Sequence, residues 1–319
     1  MRLFLITAFL LVNSFCFSQR HNVYFLKNNG QYLNSRDSAD YIRIVAEPDS
    51  SSTLYNVAEY YMDGKPKLLG KTSSIIPLSL EGTCAEFYKN GKKQSVAAYK
   101  DGNVFGLVYD YYPNGKLYQV RHYGIASNRG IFGDNKIISE YDSTGTVLVS
   151  DSNGYYKGFD NGFKKIVEEG HVKNGNKDGA WKGSEDGLGI TFNEEYADGK
   201  LMSGVSVGKN GDSVKYYGSR TAQPKFKNDP KAFNNFLSNN VRYPDIDRAR
   251  GIQGKVILTF VVEKDGQLTD IKVIRSVSPT LDEEAVRVLK ESKRWVPGNM
   301  FGRPIRVQYS VPFNFALSN

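Results

Sequence analysis

Between residues 22 and 220 aromatic and aliphatic side chains recur in short stretches that Gly, Asn and Asp close off. Strands bounded by such residues read as turn-rich β structure. One unit returns along this region: a Tyr, two or three residues, a Gly, and often a Lys followed by an apolar side chain. It reads Tyr61-Met-Asp-Gly64-Lys65, Tyr88-Lys-Asn-Gly91-Lys92, Tyr99-Lys-Asp-Gly102, Tyr112-Pro-Asn-Gly115-Lys116-Leu117 and Tyr196-Ala-Asp-Gly199-Lys200-Leu201. Weaker copies are Tyr141-Asp-Ser-Thr-Gly145 and His171-Val-Lys-Asn-Gly175. Gly91 to Gly115 and Gly175 to Gly199 are each 24 residues apart. Asn-Gly and Asp-Gly adopt the positive φ angles of a tight two-residue turn, so each unit predicts a β-hairpin. A lone hairpin cannot bury a core, and stacked neighbours would bury their aromatics between them. The repeat region is expected over 60–220, with 19–59 as an atypical β cap.

The pattern changes near Thr221-Ala-Gln-Pro224, and residues 221–227 read as a linker. Beyond it Val and Ile alternate in runs. Asp229 is placed to cap a short helix, Pro230 fits its first turn, and Phe233, Phe236 and Leu237 follow at helical spacing. Tyr243-Pro244 is an extended dipeptide. Residues 255–262 predict a strand with Val256, Leu258, Phe260 and Val262 on one face. Lys264-Asp265-Gly266 turns it into a second strand, Leu268–Arg275. Leu281, Ala285, Val288 and Leu289 mark the apolar stripe of a helix over 281–293, with acids near its start and Lys290, Lys293 and Arg294 near its end. Residues 304–315 predict a third strand, with Ile305, Val307, Tyr309 and Val311 on one face. The fold class expected for 228–319 is α+β, a three-stranded antiparallel sheet with helices. The region before it is expected to be mainly β.

Composition supports this division. The chain has 319 residues with 31 Gly, 21 Tyr and 18 Phe, and 19 of the tyrosines fall within 19–224, as a stacked aromatic seam requires. The formal charge of +8 is uneven: 19–224 are close to neutral, whereas 225–319 carry 16 Lys and Arg against 10 Asp and Glu. That excess is scattered rather than gathered in a run, which favours a solvated basic surface, or a patch for an acidic partner, over nucleic acid.

Residues 1–18 combine Arg2, a ten-residue apolar stretch from Leu3 to Val12, and small side chains at Cys16 and Ser18. This reads as a secretory signal peptide cleaved before Gln19. The stretch is short for a membrane span, which needs about 20 residues. The mature chain is expected to be soluble and exported. An uncleaved anchor is the alternative.

Residues 102–117 and Gly175-Asn-Lys-Asp-Gly179-Ala-Trp181 resemble the MORN-repeat family in its bacterial variant form, over about 60–215. That resemblance implies a scaffolding array. The last module resembles the TonB C-terminal domain family. The likeness rests on Tyr243-Pro244, Gly254-Lys255-Val256, Val262 with Asp265-Gly266, Leu281-Asp282 with Glu284-Ala285, Trp295-Val-Pro297, Gly302-Arg303-Pro304-Ile305 and Val311-Pro312-Phe313-x-Phe315. The resemblance implies the periplasm or cell envelope of a Gram-negative bacterium, and in that family the domain grips a short extended peptide, the TonB box of an outer-membrane transporter, by adding it as a strand. The resemblance implies that Arg306, Val307, Gln308, Tyr309, Ser310, Val311, Phe313 and Phe315 form the peptide edge, with Arg242, Tyr243 and Pro244 beside it. Main-chain groups supply affinity in such a mode, so no catalytic residue is needed.

The chain departs from the family in two ways. Its N-terminal segment looks cleavable, and a β-repeat region stands where a long Pro-rich spacer would be, with only 11 prolines in all. Peptide binding is therefore expected ahead of energy transduction by an anchored transducer.

The chemistry of other classes is poorly supplied. His21, His122 and His171 are the only histidines and Cys16 and Cys84 the only cysteines, too few for a Cys/His zinc site. Gly70-Lys71-Thr72 has the wrong spacing from Gly64 for a phosphate loop. Glu168-Glu169 and Glu194-Glu195 are adjacent, so in a strand each pair points to opposite faces. No enzyme activity, cofactor, metal or nucleic-acid partner is expected. The expected partner is an outer-membrane TonB-dependent transporter, or another envelope protein that presents an extended peptide, and a homodimer is possible. A glycan-binding protein or an enzyme that uses the aromatic repeats is the remaining alternative.

Overall fold

The computed structural model describes residues 21–124, 135–226, 232–293 and 295–317. The expected signal segment, the capping pair Asp229 and Pro230, and Arg294 lie outside the described residues. The chain forms two compact units, one within Met1–Tyr156 and Val172–Asn176, the other within Lys157–His171 and Lys177–Asn319.

The first unit is an antiparallel meander. His21–Leu26 pairs with Tyr32–Leu33 and with Tyr41–Ala46. From Tyr41–Ala46 each strand pairs with its successor, through Tyr55–Tyr61, Pro66–Ser74, Ser79–Phe87, Lys93–Lys100, Asn103–Tyr111, Leu117–Tyr123, Asn135–Tyr141 and Val147–Ser150. The repeated sequence unit builds two kinds of turn, not one. At Asp101-Gly102 and Asn174-Gly175 both residues have positive φ, which is the two-residue turn that the dipeptides predict. At Tyr61, Tyr88 and Tyr112 the loop has three residues. Tyr61 donates its N–H to the Lys65 carbonyl, Gly64 donates to the Tyr61 carbonyl, and only Gly64 is left-handed. This is a type I turn closed by a glycine bulge, and it corrects the expectation of a two-residue turn there.

The Tyr and Lys of these three-residue turns lock each hairpin to the next. The Tyr61 hydroxyl donates to the Phe87 carbonyl (2.8 Å), Tyr88 to Tyr111 (2.6 Å) and Tyr112 to Tyr141 (2.9 Å). The Lys65, Lys92 and Lys116 ammonium groups reach carbonyls of Lys89, Asn114 and Thr144. Burial pushes the Tyr88 phenol up to about 12. The inner face is unusually polar for a sheet: Arg43 donates twice to Glu59, at 2.9 and 2.7 Å, beside a small core of Val45, Val57 and Leu68.

In the second unit, Asn176–Glu185, Ile190–Ala197, Lys200–Gly208 and Ser213–Tyr216 continue as antiparallel neighbours. Trp181 is 2% exposed and lies over Gly170, where a Cβ would come within 2.4 Å of the indole. Beside it sits a buried ionic network. Glu194 accepts from Tyr216 (2.8 Å), Tyr196 (3.1 Å) and Arg220 (2.7 Å). Arg220 also reaches Glu168 at 2.8 Å, and Glu168 accepts from Lys177 at 2.7 Å. The carboxylates dismissed as adjacent pairs are thus joined across strands, Glu168 with Glu194, through one guanidinium.

Burial alone would raise the Glu168 carboxyl, but Lys177 and Arg220 outweigh it and hold the group below the ordinary glutamate range. A carboxyl depressed on folding stabilises the native state above its unfolded pKa, about 4.3, and that contribution is lost as pH falls through the lower folded value. Thermal unfolding is therefore expected to move to lower temperature as pH drops below about 4.3. Glu168→Gln should reduce that dependence, and scanning calorimetry from pH 7 to pH 3 checks it.

The C-terminal sheet has Gly254–Val262 at its centre, flanked by Leu268–Arg275 and Val307–Phe315. Val256, Leu258, Phe260 and Val262 are fully buried against Leu281, Ala285, Val288 and Leu289 of the helix Pro279–Glu291. Ser278 caps that helix by accepting the Leu281 N–H, and its hydroxyl donates to the buried Asp247 at 2.8 Å. A cluster of Phe226, Phe233, Phe236 and Trp295 seats the helix Ala232–Asn240.

Three features differ from the sequence reading. Residues 245–249 form a short helix, Asp245–Ala249. The stretch 304–315 is not one strand: Arg303–Ile305 pairs with Gly298–Met300, and Val307–Phe315 begins after a break at Arg306. Residues 221–226 do not form a bare linker, because Thr221–Ala222 pairs with Asn299 and Met300, and Lys225–Phe226 with Trp295 and Val296.

Candidate peptide-binding edge

Val307–Phe315 is an edge strand. Among the described residues its ladder partner is Gly254–Val262 alone, in unbroken register from Val262↔Val307 to Gly254↔Phe315. Two observations tell which of its main-chain groups face outward. First, the Glu263 N–H donates to the Gln267 carbonyl, so position 263 points toward Leu268–Arg275. Groups on a strand alternate sides, so 262, 260, 258 and 256 point toward the edge strand. Their partners 307, 309, 311 and 313 must then use their N–H and C=O inward. Second, Pro312 has no N–H, and within a sheet proline is tolerated where that position faces away from the ladder. Both place Gln308, Ser310, Pro312 and Asn314 with main-chain groups on the open side. Three N–H groups and four carbonyls are on offer there.

A groove runs along that open side. Its near wall is the edge strand from Tyr309 to Ala316, and its far wall is the helix Ala232–Asn240 through Asn234, Leu237 and Ser238. It holds two cavities of about 410 and 460 Å³. The first is floored by Phe226, Phe233, Trp295 and Tyr309, the second by Val241, Tyr243, Phe313 and Phe315. An extended segment laid here would meet main-chain partners on one side and apolar pockets below, the geometry of strand addition.

The residues singled out from sequence divide by position. Gln308 and Ser310 are exposed and carry outward groups. Val307, Tyr309, Val311, Phe313 and Phe315 face the core. Tyr309 packs 5.9 Å from Phe260 and from Trp295, and Phe313 and Phe315 are 2% exposed. Tyr243 meets Phe315 edge-on at 5.8 Å and hydrogen bonds the Ile252 carbonyl, so it lines the groove from the core side. Arg242 is held by its N–H on Glu284 (2.6 Å), and Pro244 precedes the helix Asp245–Ala249 as its N-cap. Arg306 is not brought to the groove: its guanidinium pairs with Glu263 (2.8 Å) and with Asp270, on the far side of the sheet. Pro312 and Asn314 fall within the expected edge 306–315 but were not singled out as binding residues, and the helical wall was missed by sequence reasoning. Asn314 could have been found, since it lies on the same parity as Gln308. The wall could not, because its distance from the edge is a tertiary fact.

No group of three or more His, Cys, Asp or Glu among the described residues is arranged to hold a metal ion.

Residues 239–317 match a family described as Gram-negative bacterial TonB protein C-terminal. This segment is TonB-like. Over 83 residues the chain is 31% identical to protein TonB of Helicobacter pylori, covering 25% of this chain and 28% of that protein. Over 75 residues it is 32% identical to protein TonB of Pseudomonas aeruginosa, covering 24% and 22%. The matched stretch thus spans about a quarter of the curated relatives. The solution structure of the Helicobacter pylori TonB C-terminal domain aligns at 27% identity over 27% of this chain and 78% of that one, with a TM-score of 0.22. No described helix is long and apolar enough to cross a membrane.

Proposed function

We propose that this chain is a cell-envelope protein of outer-membrane transport that binds an extended, TonB-box-like peptide of a transporter by strand addition to Val307–Phe315. The open edge facing a groove carries this reading, and the TonB-like match of residues 239–317 supports it. The hydrogen bonds would come from Gln308, Ser310 and Asn314, and the apolar floor would take alternate side chains of the peptide. No catalytic group is required. The stacked hairpins, read as MORN-like, would act as scaffold in place of a Pro-rich spacer.

The test is a titration of the isotope-labelled full chain with a synthetic TonB-box peptide, followed by amide NMR. The largest shifts are expected at Gln308, Ser310 and Asn314, with smaller ones at Val307, Tyr309 and Val311, whose N–H groups already sit in a ladder. Shifts confined to Leu268–Arg275 or to the repeats would refute the assignment. N-terminal sequencing of the exported protein separates a released binder, starting at Gln19, from an anchored transducer.

A further inference from the structure

The hairpin that leads into the edge strand is seated in the end of the repeat region. Its turn consists of Phe301 and Gly302, with φ of 51° and 75°. Such turns take Asn, Asp or Gly, and a bulky aromatic at positive φ persists only where its surroundings over-determine it. They do so here. The Phe301 ring is 3% exposed, stacked 4.9 Å from Phe192, edge-on to Tyr216 at 5.8 Å, and 5.3 Å from the Arg220 guanidinium. Its N–H donates to the Arg220 carbonyl (2.6 Å), and its carbonyl accepts from the Ser206 hydroxyl (2.9 Å). At Gly302 a Cβ would lie 3.0–3.1 Å from Val214, Lys215 and Tyr216, so the approach is as close as a backbone allows. Arg303 then donates to the Ser206 hydroxyl (3.0 Å), to the Asp212 carbonyl (2.8 Å) and to the Asp212 carboxylate.

Phe301 is not among the buried residues that form the C-terminal module's own core cluster. The strain at this turn is therefore held by contacts with the repeat end. One residue, Arg306, separates Arg303–Ile305 from the edge strand, and it is itself braced by Glu263 and Asp270. The start of the edge strand, at Val307, is also tightly packed: a Cβ at Gly298 would come within 2.7 Å of its side chain.

We propose that Phe301 and Arg303 are positioning residues for the peptide-binding edge: the repeat region grips the hairpin Gly298–Ile305 and so fixes where and at what angle the strand Val307–Phe315 begins. This rests on the reading of that edge as the peptide site, and it gives the repeats a direct part in binding. The isolated module would then be a poorer binder than the whole chain.

The test uses the full chain, unliganded, by amide hydrogen exchange, and then with the TonB-box peptide. Arg303→Ala and Phe301→Ala are expected to raise exchange at Ile305, Val307 and Tyr309, and at Val262 and Phe260 that pair with the last two, by about tenfold, while Leu258, Thr259 and Val311 keep their wild-type rates. Arg303→Lys, which keeps the charge but not the planar fork, should fall between. Peptide affinity should drop in the same order. A uniform rise that includes Leu258, Thr259 and Val311 means that the contacts serve only overall stability, and no rise at 305–309 means that the grip does not support the edge; either overturns the proposal. If the graded exchange pattern is found but wild-type chain takes no peptide, the binding reading fails and the grip stands as a strand support alone.

Discussion

Proline at position 310 is expected to weaken peptide addition by about 5- to 150-fold while the chain stays folded, whereas proline at 309, its neighbour, is expected to unfold the C-terminal module. The two substitutions remove the same atom from opposite sides of one strand. Ser310 directs its N–H to the open edge, so Ser310→Pro costs the sheet no ladder bond. It does take the middle of the three outward donors, and with Pro312 two positions on it leaves an incoming strand two consecutive unanswered carbonyls. The one at Pro312 is unanswered in the native chain as well, so the substitution adds one, at about 1–3 kcal/mol, or about 5- to 150-fold in affinity. Tyr309 directs its N–H to Phe260, at the centre of the sheet. Tyr309→Pro strands a buried carbonyl, at about 1–3 kcal/mol. It also removes an aromatic ring packed on Phe260 and Trp295, at about 3–5 kcal/mol. Together these approach the whole stability of an ordinary domain, about 5–15 kcal/mol. Circular dichroism melts and peptide titrations of both variants check the pair. Equal behaviour of the two would show that the outward parity assigned to Gln308, Ser310 and Asn314 is wrong.

Glu194→Ala is expected to destabilise the second unit by about 3 kcal/mol, the lower end of the cost of breaking a buried ion pair, because Arg220 keeps Glu168 at 2.8 Å. Glu194 has no exposed side-chain surface and satisfies Arg220, Tyr196 and Tyr216 at once. Losing it leaves two cations, Arg220 and Lys177, to share Glu168, and strands two hydroxyls. Arg220 also carries the carbonyl that receives the Phe301 N–H, so the loss should spread to the hairpin that leads into the edge strand. Denaturant unfolding monitored by Trp181 fluorescence measures the first effect. Exchange at the Phe301 amide measures the second. Replacing Glu194 together with Arg220 by apolar residues should cost much less than the single change, because the desolvated charge leaves with its partner.

Much of this was legible before any coordinates. The faces of Gly254–Val262 and of the helix Pro279–Glu291 follow from alternation and from helical spacing, and every residue assigned to those stripes is buried. The recurring Tyr and Gly mark where hairpins turn. They do not tell which turn forms, because a single left-handed Gly at Gly64 and a left-handed pair at Asp101-Gly102 are both compatible with an Asp-Gly dipeptide. The candidate edge was legible in part. Its strand could be placed from pattern, but the list of binding residues, which the family resemblance implied, mixed core-facing Phe313 and Phe315 with outward Gln308 and Ser310, and Arg306 turned out to serve the opposite side of the sheet.

Local pattern sets which residues of a strand or helix face a core, since that depends only on the period of the backbone. It therefore settled the α+β module, the hairpin region before it and their burial. Only the folded chain decided which strand lies at the edge, which of its alternating groups face outward, that a helix supplies the opposite wall, and that Phe301 is buried among Phe192, Tyr216 and Arg220. Those facts join residues about 45 to 110 positions apart. Such contacts depend on how whole elements pack, and no periodicity within a window of ten or fifteen residues carries that information.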